Sequence, residues 1–310
     1  MSQKEQNLIE NSTHCKEIED ILTNNFYFIL MPLQMILLIF ILISIIILII
    51  YFKYNKFYLH GNLLILFTNI IILYFIHSTF LLFSFIRYKI LLYTYNNNSC
   101  NLLTPIWLVL TIYAPYYINS IAYPLFHFCI MIERIRATIL AEKYENENYK
   151  LGILMCILIW LISIIYYIYL ALSALADTDN FGQPQGPTYI TSKYNATTMF
   201  YMTIITLILM IVTTLGDWRI TILNKKIRML SKNSIKYNLS HNFQLNENII
   251  SMRLIFPLDL SYAIFYSFYI IIVLILRAYK SSMSLTQYVL LYDAVDTFIF
   301  LHTSITIIKY

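Results

Sequence analysis

Charged residues are scarce in this chain. Of its 310 residues only 12% are Asp, Glu, Lys or Arg, whereas 59% are hydrophobic. Soluble domains carry about 25% charged and about 45–50% apolar residues, so a chain with this little polar surface is predicted to lie in lipid. The net charge of +5 is spread over the ends of apolar segments. This distribution argues against the continuous basic stripe of a nucleic-acid-binding protein.

The motifs of membrane enzymes and of transporters are also missing. The sequence has no His-Glu-x-x-His pattern and no cluster of histidines for a metal ion. Tyr292-Asp293 resembles one half of an aspartyl intramembrane protease site, but the Gly-x-Gly-Asp half is absent. With only five glycines, the Gly-interrupted repeats of secondary transporters are not visible. We therefore predict no enzyme activity, no metal and no cofactor.

Long apolar runs dominate what is present, and each approaches or exceeds the roughly 20 residues that a membrane-spanning helix needs. Backbone groups in lipid must be satisfied within the segment, and runs this long without alternation are not barrel strands. We predict an all-α integral membrane protein in which an outer segment, residues 1–25, precedes one seven-transmembrane helix bundle, residues 26–310. The spans cover about residues 26–52, 59–86, 103–132, 151–176, 197–215, 254–276 and 284–308, with a long polar connector over residues 217–253.

The orientation of the bundle follows from its Lys and Arg residues. About twice as many of them fall on the side of Glu133-Arg134 as on the opposite side, which predicts the N-terminus outside and the C-terminus inside. Asn-x-Ser/Thr patterns, the acceptors of N-glycosylation, lie in three predicted outer segments at Asn11, Asn97 and Asn195.

Charge begins abruptly where the third apolar run ends, at Glu133-Arg134. An acid and an arginine at the end of an apolar helix are expected at a water boundary, because burying them unpaired costs several kcal/mol. Two interpretations stay open for this pair: a charge cluster that only fixes the orientation of the helix, or a conformational switch.

Two blocks of sequence carry a resemblance to a known family. Residues 132–138 read Ile-Glu-Arg-Ile-Arg-Ala-Thr and are followed by Tyr144-Glu145, similar to an "ER-x-x-AT … YE" signature. Residues 239–249 read Leu-Ser-His-Asn-Phe-Gln-Leu-Asn-Glu-Asn-Ile, similar to an "LS-x-[RY]-[FY]Q-x-x-EN" block before a sixth helix. The chain thus resembles the nematode serpentine chemoreceptors of the Sra superfamily, most like the Sre class, which are seven-transmembrane G-protein-coupled receptors.

This resemblance implies a chemosensory receptor in the plasma membrane of sensory neurons or cilia. Such a receptor would bind a small odorant or pheromone-like molecule from outside and activate a heterotrimeric G protein inside. Glu133 and Arg134 would form its activation switch. The residues expected to couple to the G protein are Arg136, Tyr144, Phe243, Gln244, Glu247 and Asn248.

Polar groups inside the spans are the candidates for ligand binding, since such groups are costly in lipid and point to function. Asp293 and Asp296 are three residues apart and share one face of the seventh helix. They either face a wet ligand cavity or pair with Asn and Tyr groups as a packing lock. His77 lies nearer the outer half of the second helix, where a hydrogen-bonded interior histidine is the alternative. The predicted ligand-binding residues are His77, Asn119, Asp293 and Asp296.

Two cysteines fall in predicted outer segments, where disulfides form. Cys100 precedes the third helix, at the position from which many receptors of this kind bridge to their second outer loop. That loop holds no cysteine here, so Cys15–Cys100 is the candidate bridge, and two free thiols are the alternative.

A ligand-gated channel or a transporter of small solutes is the alternative function. Insect-type olfactory channels also have seven spans, but their N-terminus lies inside. The membrane topology would therefore separate the two hypotheses.

Overall fold

The computed structural model of the protein describes residues 14–54, 60–96, 98–140, 144, 148–181, 184–186, 190–232 and 239–308. Seven long helices account for most of this part of the chain, and they confirm the predicted all-α seven-helix architecture. Because the helices run alternately up and down, the bundle has two ends, which we name the Arg134 end and the Cys100 end. The helices are α1 (Asn25–Tyr54), α2 (Gly61–Thr94), α3 (Ile106–Ile139), α4 (Lys150–Leu175), α5 (Ala196–Lys232), α6 (Leu239–Ala278) and α7 (Leu285–Ile308).

Six of these helices are long and apolar enough to cross a membrane; among the described residues only α3 is a long helix that falls short of this apolarity. Helix α3 lies between the others and contacts α2, α4, α5 and α6. Its polar side chains His127, Glu133 and Arg134 are all buried. The peripheral helices instead present large apolar side chains to the surroundings, as with Ile29 at 70% exposed on α1. A helix surrounded by other helices does not need to be apolar all round, whereas a lipid-facing helix does.

The structure corrects the predicted fifth span and the connector after it. Helix α5 does not end near residue 215 but continues to Lys232, and α6 begins at Leu239. The polar residues Asp217 and Asn224 of this extension are fully buried, and charged residues such as Lys225 and Arg228 are exposed. The segment is therefore an amphipathic helix that extends beyond the apolar run. Hydropathy alone assigned it to a loop.

Close backbone contact holds α2 against α4 near the Arg134 end. A Cβ atom at Gly152 would meet the backbone Cα and O atoms of Asn62 at 3.0 Å. In turn the Gly152 amide donates to Asn62 Oδ1 at 3.0 Å, and Trp160 Nε1 donates to Asn69 Oδ1 at 2.9 Å. Small residues and interhelical hydrogen bonds are what bind helices together in lipid, where apolar burial gives little driving force.

The Cys100 end is closed by a structure that we call the cap. It consists of the N-terminal helix (residues 14–22), the 3-10 turn Ser99–Leu102 and residues 184–186. Thr104 and Gln185 exchange backbone hydrogen bonds of 2.6 and 2.9 Å, and a side chain at Gly186 would collide with Ile18. The apolar face of the N-terminal helix packs onto the ends of α1, α2 and α7 through Ile18, Ile21, Leu22, Tyr27, Tyr88 and Val289.

Candidate functional site

Arg134 is the centre of a buried polar cluster at the Arg134 end. Its side chain is only 1% exposed. Its Nε donates to Glu133 Oε2 at 2.5 Å, one terminal nitrogen donates to the Tyr144 hydroxyl at 3.0 Å, and the other donates to Asn248 Oδ1 at 3.3 Å. A guanidinium is always charged and has only donors, so its burial is tolerated only with acceptors and a counter-charge. The three acceptors come from α3, from residue 144 and from α6.

A second layer of hydrogen bonds joins α3, α5 and α6 around this arginine. Asn248 Nδ2 donates to Thr138 Oγ1 at 2.6 Å. The Thr138 hydroxyl lies 3.0 Å from Asn224 Oδ1 on α5 and 2.9 Å from the Arg134 carbonyl. A displacement of α6 relative to α3 would break the bonds of Asn248 to Arg134 and Thr138 together.

Residue 144 and α2 close the cluster from the other side. The Tyr144 ring lies 4.0 Å from the His60 ring, centroid to centroid, and 5.9 Å from Arg134 Cζ. The backbone amide of His60 donates to Glu247 Oε1 on α6 at 2.8 Å. Glu247 therefore connects α6 to the start of α2, and the Tyr144 ring lies near both the His60 imidazole and the Arg134 guanidinium.

These contacts change the position expected for several predicted site residues. Glu133 and Arg134 do not lie at a water boundary, because they pair with each other beneath neighbouring helices. Tyr144 and Asn248, predicted as part of a coupling surface, are each 1% exposed and bound to Arg134. Their hydrogen bonds turn them inward, away from an approaching partner. Arg136 is half-buried. The side chains of Phe243 and Gln244 lie outside the described part of the structure.

A second buried polar cluster, missed in the sequence analysis, lies deeper in the bundle. His127 Nδ1 of α3 is in contact with Asp259 Oδ1 of α6, and Asp217 of α5 approaches Asp259. Both aspartates are fully buried. The available signal was that Asp259 and His127 are ionisable groups inside apolar runs. Asp217 was not recognised because its helix was predicted to end before it.

The Cys100 half of the bundle contains a cavity of about 30 Å³ between α1, α2, α3 and α7. Asp293 and Asp296 both line it, so the structure brings these two predicted residues together. They lie about 12 and about 17 Å along α7 from its start at Leu285. Asp296 Oδ2 is 3.5 Å from the Tyr116 hydroxyl. The polar part of the lining comprises Tyr27, Gln34, Ser84, Tyr88, Tyr113 and the two aspartates.

The other two predicted ligand residues lie outside this lining. His77 is buried, with its ring 6.4 Å from that of Phe300 and 5.9 Å from that of Tyr116, so it packs behind the cavity wall. Asn119 lies on α3, and its buried Oδ1 has no hydrogen-bond partner among the described residues. Gln34, which the sequence analysis did not single out, is part of the lining. The signal that could have found it was a lone amide within an otherwise apolar span.

A column of aromatic rings connects the cavity region to the Asp259 cluster. The Tyr269 hydroxyl lies 3.5 Å from the Tyr116 hydroxyl and 3.4 Å from the Tyr292 hydroxyl. The Tyr269, Tyr266 and Tyr262 rings follow one another along α6 at centroid distances of 5.9 and 5.4 Å, nearly parallel. Tyr262 then stacks on His127 at 6.5 Å. Packed side chains thus form a continuous route from Asp296 to Asp259.

Two of the covalent features predicted for the outer segments, a disulfide and a glycan at Asn195, fall on described residues. The structure joins Cys15 to Cys100 by a disulfide, with their Cα atoms 4.8 Å apart. Asn195 is fully buried, and its Nδ2 donates to the Ile190 carbonyl at 2.8 Å. This geometry speaks against a glycan on Asn195, because the same nitrogen would have to carry the sugar outward. Asn11 and Asn97 lie outside the described residues.

Comparison with known proteins places this architecture in a family. The chain matches the serpentine type seven-transmembrane GPCR chemoreceptors of class ab over residues 12–305, whereas curated proteins give no match. The expectation of a nematode serpentine chemoreceptor is thereby confirmed, and the finer assignment to the Sra superfamily and its Sre class receives no support. Because the match runs from the N-terminal helix through six helices and most of α7, this multi-pass membrane protein belongs to the class ab family of serpentine chemoreceptors.

Proposed function

We propose that this protein is a plasma-membrane receptor of sensory neurons that binds a small odorant or pheromone-like molecule at the Cys100 end and activates a heterotrimeric G protein at the Arg134 end. The Cys100 end and the N-terminus would face outside. The observation that carries the proposal is the buried cluster in which Arg134 binds Glu133, Tyr144 and Asn248. Its hydrogen bonds join α3, residue 144 and α6, and α6 would have to move away from α3 to admit a partner.

We call the contacts of Arg134 with Glu133, Tyr144 and Asn248 the lock, because they hold α3 and α6 together and can break and re-form. Hydrogen bonds to charged groups contribute about 1.5–3 kcal/mol each, and Tyr144 and Asn248 supply two of them to Arg134. In the closed state the guanidinium is covered. When α6 moves away, Arg134 loses Asn248 and becomes available to acceptors on a partner. Ligand binding then has only to favour the open packing over the closed one, which is a population shift.

The G protein would enter the space that this movement creates. The positively charged, solvent-facing side of the α5 extension, with Lys225 and Arg228, borders that space. Arg136 is half-buried on the last turn of α3, and Glu247 would be released from the His60 amide by the same displacement of α6. Phe243 and Gln244, on the first turns of α6, are proposed to join the coupling surface. The ligand's effect would reach this end through the aromatic column between Asp296 and Asp259.

The test is basal G-protein activation by variants that loosen the lock without removing the charge. Tyr144→Phe and Asn248→Ala each delete one acceptor of Arg134, and each should raise basal activation several-fold, since about 1.4 kcal/mol corresponds to a tenfold change in an equilibrium. Tyr149→Phe and Asn246→Ala are matched controls, because both side chains are exposed. Arg134→Ala should abolish activation per receptor at the cell surface, and surface expression is counted because this variant leaves the Glu133 carboxylate buried without its partner.

Two results would contradict the proposal. One is unchanged basal activation in both lock variants at equal surface expression. The other is an N-terminal tag that is accessible only from the cytoplasm, together with ligand-gated ion flux that is indifferent to Arg134. The second result would favour the channel hypothesis.

A further inference from the structure

The buried cluster of His127, Asp217 and Asp259 has an uneven charge balance. The exposed fraction is 3% for His127 and 0% for both aspartates. His127 Nδ1 contacts Asp259 Oδ1, but neither aspartate is bound by a lysine or an arginine among the described residues. With all three side chains ionised, the cluster would carry two negative charges against one positive charge. Burial of an unbalanced charge is costly.

Hydrogen bonding leaves the same imbalance. Both carboxylate oxygens of Asp217, Asp259 Oδ2 and His127 Nε2 are buried and have no hydrogen-bond partner among the described residues. Asp217 lies close enough to Asp259 for the two carboxyl groups to act on each other. Two adjacent carboxyl groups do not both ionise in a site of low dielectric constant, because like charges repel there. A proton held between them would supply the missing donor and remove the excess negative charge.

The titratable groups that face the cluster from the neighbouring helices are phenols and one more imidazole. The Tyr123 ring of α3 lies 4.3 Å from the His127 ring and 5.2 Å from that of Tyr74 on α2, centroid to centroid. On α6 the Tyr262 ring stacks on His127, and its centroid lies 5.8 Å from that of His302 on α7. None of these groups brings a fixed positive charge, so the carboxyl pair has to be balanced by a cation of another kind. A proton needs no cavity, whereas a hydrated metal ion does.

Two contacts fix the height of Asp217 in the bundle. The Thr214 hydroxyl lies 3.3 Å from the Asp259 carbonyl, and Asn224 Oδ1 lies 3.5 Å from Asn248 Nδ2. Because α5 and α6 are antiparallel, Asp217 is level with the part of α6 between Asn248 and Asp259. It lies about 10 Å deeper in the bundle than Asn224, which is at the height of the lock.

The segment of α6 that covers Asp217 is also the segment that the proposed opening would move. Pro257 lies inside α6, between Asn248 and Asp259, and a proline is a place where a helix bends. If the part of α6 before Pro257 moves away from α3, the lock opens and Asp217 is uncovered toward the Arg134 end. Water then hydrates the ionised carboxylate. The O–H bond of the carboxyl group breaks, and its proton passes to water.

We infer that the carboxyl pair of Asp217 and Asp259 is a proton-binding site that makes the lock sensitive to pH at the Arg134 end. The inference rests on the proposed function, since it names a regulator of the same switch. The closed state binds one proton more than the open state, so rising pH favours the open state. Within the titration range, the ratio of open to closed receptor should increase by up to about tenfold per pH unit.

The first experiment measures the movement of α6 in the purified receptor without G protein. A bimane fluorophore is attached at Asn246→Cys, an exposed position near the start of α6, and its emission is recorded as a function of pH. A receptor without this substitution gives the background from the free thiols of Cys129 and Cys156. The emission of the wild-type cluster should change with pH along a titration curve. Choline chloride is used as the salt and is replaced by sodium chloride in a parallel series.

Variants locate the pH response in the cluster. Asp217→Asn has a neutral side chain of the same shape, so its bimane emission should not change with pH. Asp20→Asn is the matched control, because it makes the same change at an exposed position on the N-terminal helix, and it should keep the wild-type curve. A wild-type curve in Asp217→Asn would contradict the inference. So would a curve that disappears in sodium chloride, because a metal ion would then balance the carboxyl pair.

Infrared difference spectroscopy detects the proton directly. The wild type should show the carbonyl stretch of a protonated carboxyl group, and this band should disappear as the pH rises. Asp217→Asn and Asp259→Asn should lack the band, whereas Asp20→Asn should keep it. If Asp217→Asn fails to fold, Asp259→Asn decides. Absence of a pH-dependent carboxyl band in the wild type would contradict the inference without any variant.

The outcome is separable from that of the proposed function. A carboxyl pair that releases its proton as α6 moves, in a receptor whose lock variants leave G-protein activation unchanged, would support the inference and contradict the signalling proposal. Lock variants with raised basal activation, in a receptor whose α6 does not respond to pH, would have the opposite meaning.

Discussion

The two polar regions of the bundle differ in how their charges are balanced. At the Arg134 end the arginine is bound by a carboxylate, a phenol and an amide that all belong to the same chain. At the Cys100 end the cavity lining includes two carboxyl groups, and the Gln34 amide oxygen there has no donor among the residues that the structure describes. A buried polar cluster that supplies its own partners specifies one conformation. A cluster that leaves a buried acceptor without a donor contributes less to stability, so the two regions constrain the fold to different degrees.

The largest effect is expected from removing the counter-charge at the Arg134 end. Glu133→Leu leaves a buried guanidinium without its carboxylate, and breaking a buried pair in this way costs about 3–5 kcal/mol. The melting temperature of the purified receptor should fall steeply. Glu17→Leu, at an exposed position on the N-terminal helix, serves as the control. Equal melting temperatures for the two variants would show that Arg134 does not depend on Glu133.

The second-largest loss of stability is expected from removing the disulfide that joins the cap to the Cys100 end. The Cys15–Cys100 disulfide closes a loop with a sequence separation of 85 residues, and loss of a native disulfide of this kind costs about 2–4 kcal/mol. Cys15→Ser, Cys100→Ser and the double variant should all show the same decrease in thermal stability. Addition of a reductant should lower the wild type to their level and leave the variants unchanged. A double variant much less stable than either single one would argue against the pairing.

A smaller effect is expected from Thr138→Val, which preserves the shape of the side chain but removes the hydroxyl that binds Asn248 and Asn224. Leaving buried amide groups short of a partner costs about 1–3 kcal/mol. Thermal unfolding should show this decrease, and basal G-protein activation should rise because α6 is held less firmly. Thr111→Val is the control, since Thr111 is exposed and its hydroxyl bonds, among the described residues, to the Trp107 carbonyl of its own helix. Similar behaviour of the two variants would mean that the second layer contributes nothing.

The smallest effect on the free energy of unfolding is expected for a substitution at Gln34. Gln34→Met removes two hydrogen bonds made by Nε2 but also removes a buried oxygen that has no donor. The two contributions oppose each other, so the free energy of unfolding without ligand should change by less than about 1 kcal/mol. Differential scanning calorimetry or a thermal shift assay measures this directly. A large loss of stability would place Gln34 with the structural polar groups of the Arg134 end.

Much of the fold could be predicted because lipid imposes strict conditions on the chain. Seven apolar runs, each close to the length of a membrane crossing, define seven helices, and α1 and α4 begin within a residue or two of the predicted boundaries. The prediction failed at α5, where residues beyond 215 leave the apolar pattern. There Asp217 and Asn224 are buried on one face of the helix. A hydropathy criterion assigns this polar segment to a connector.

The site residues were likewise predicted only in part. Sequence patterns selected Glu133, Arg134, Tyr144 and Asn248, because they belong to two recognisable blocks, but could not show that the four are in contact. Residues 144 and 248 lie 10 and 114 positions from Arg134, and their approach depends on how α3, α6 and the segment between α3 and α4 pack. Gln34 and Asp217 belong to no motif. Their importance is visible only as burial and hydrogen bonding.

The sequence by itself determined that the chain lies in a membrane, how many helices it has, and which two blocks resemble serpentine chemoreceptors, since these depend on composition and local order. Only the tertiary structure decided that Arg134 is covered rather than exposed, that Cys15 meets Cys100, and that Gln34 joins Asp293 and Asp296 at one cavity. The physical reason is that hydropathy is a property of each residue, whereas the balance of a buried charge or acceptor depends on neighbours that are distant in the chain.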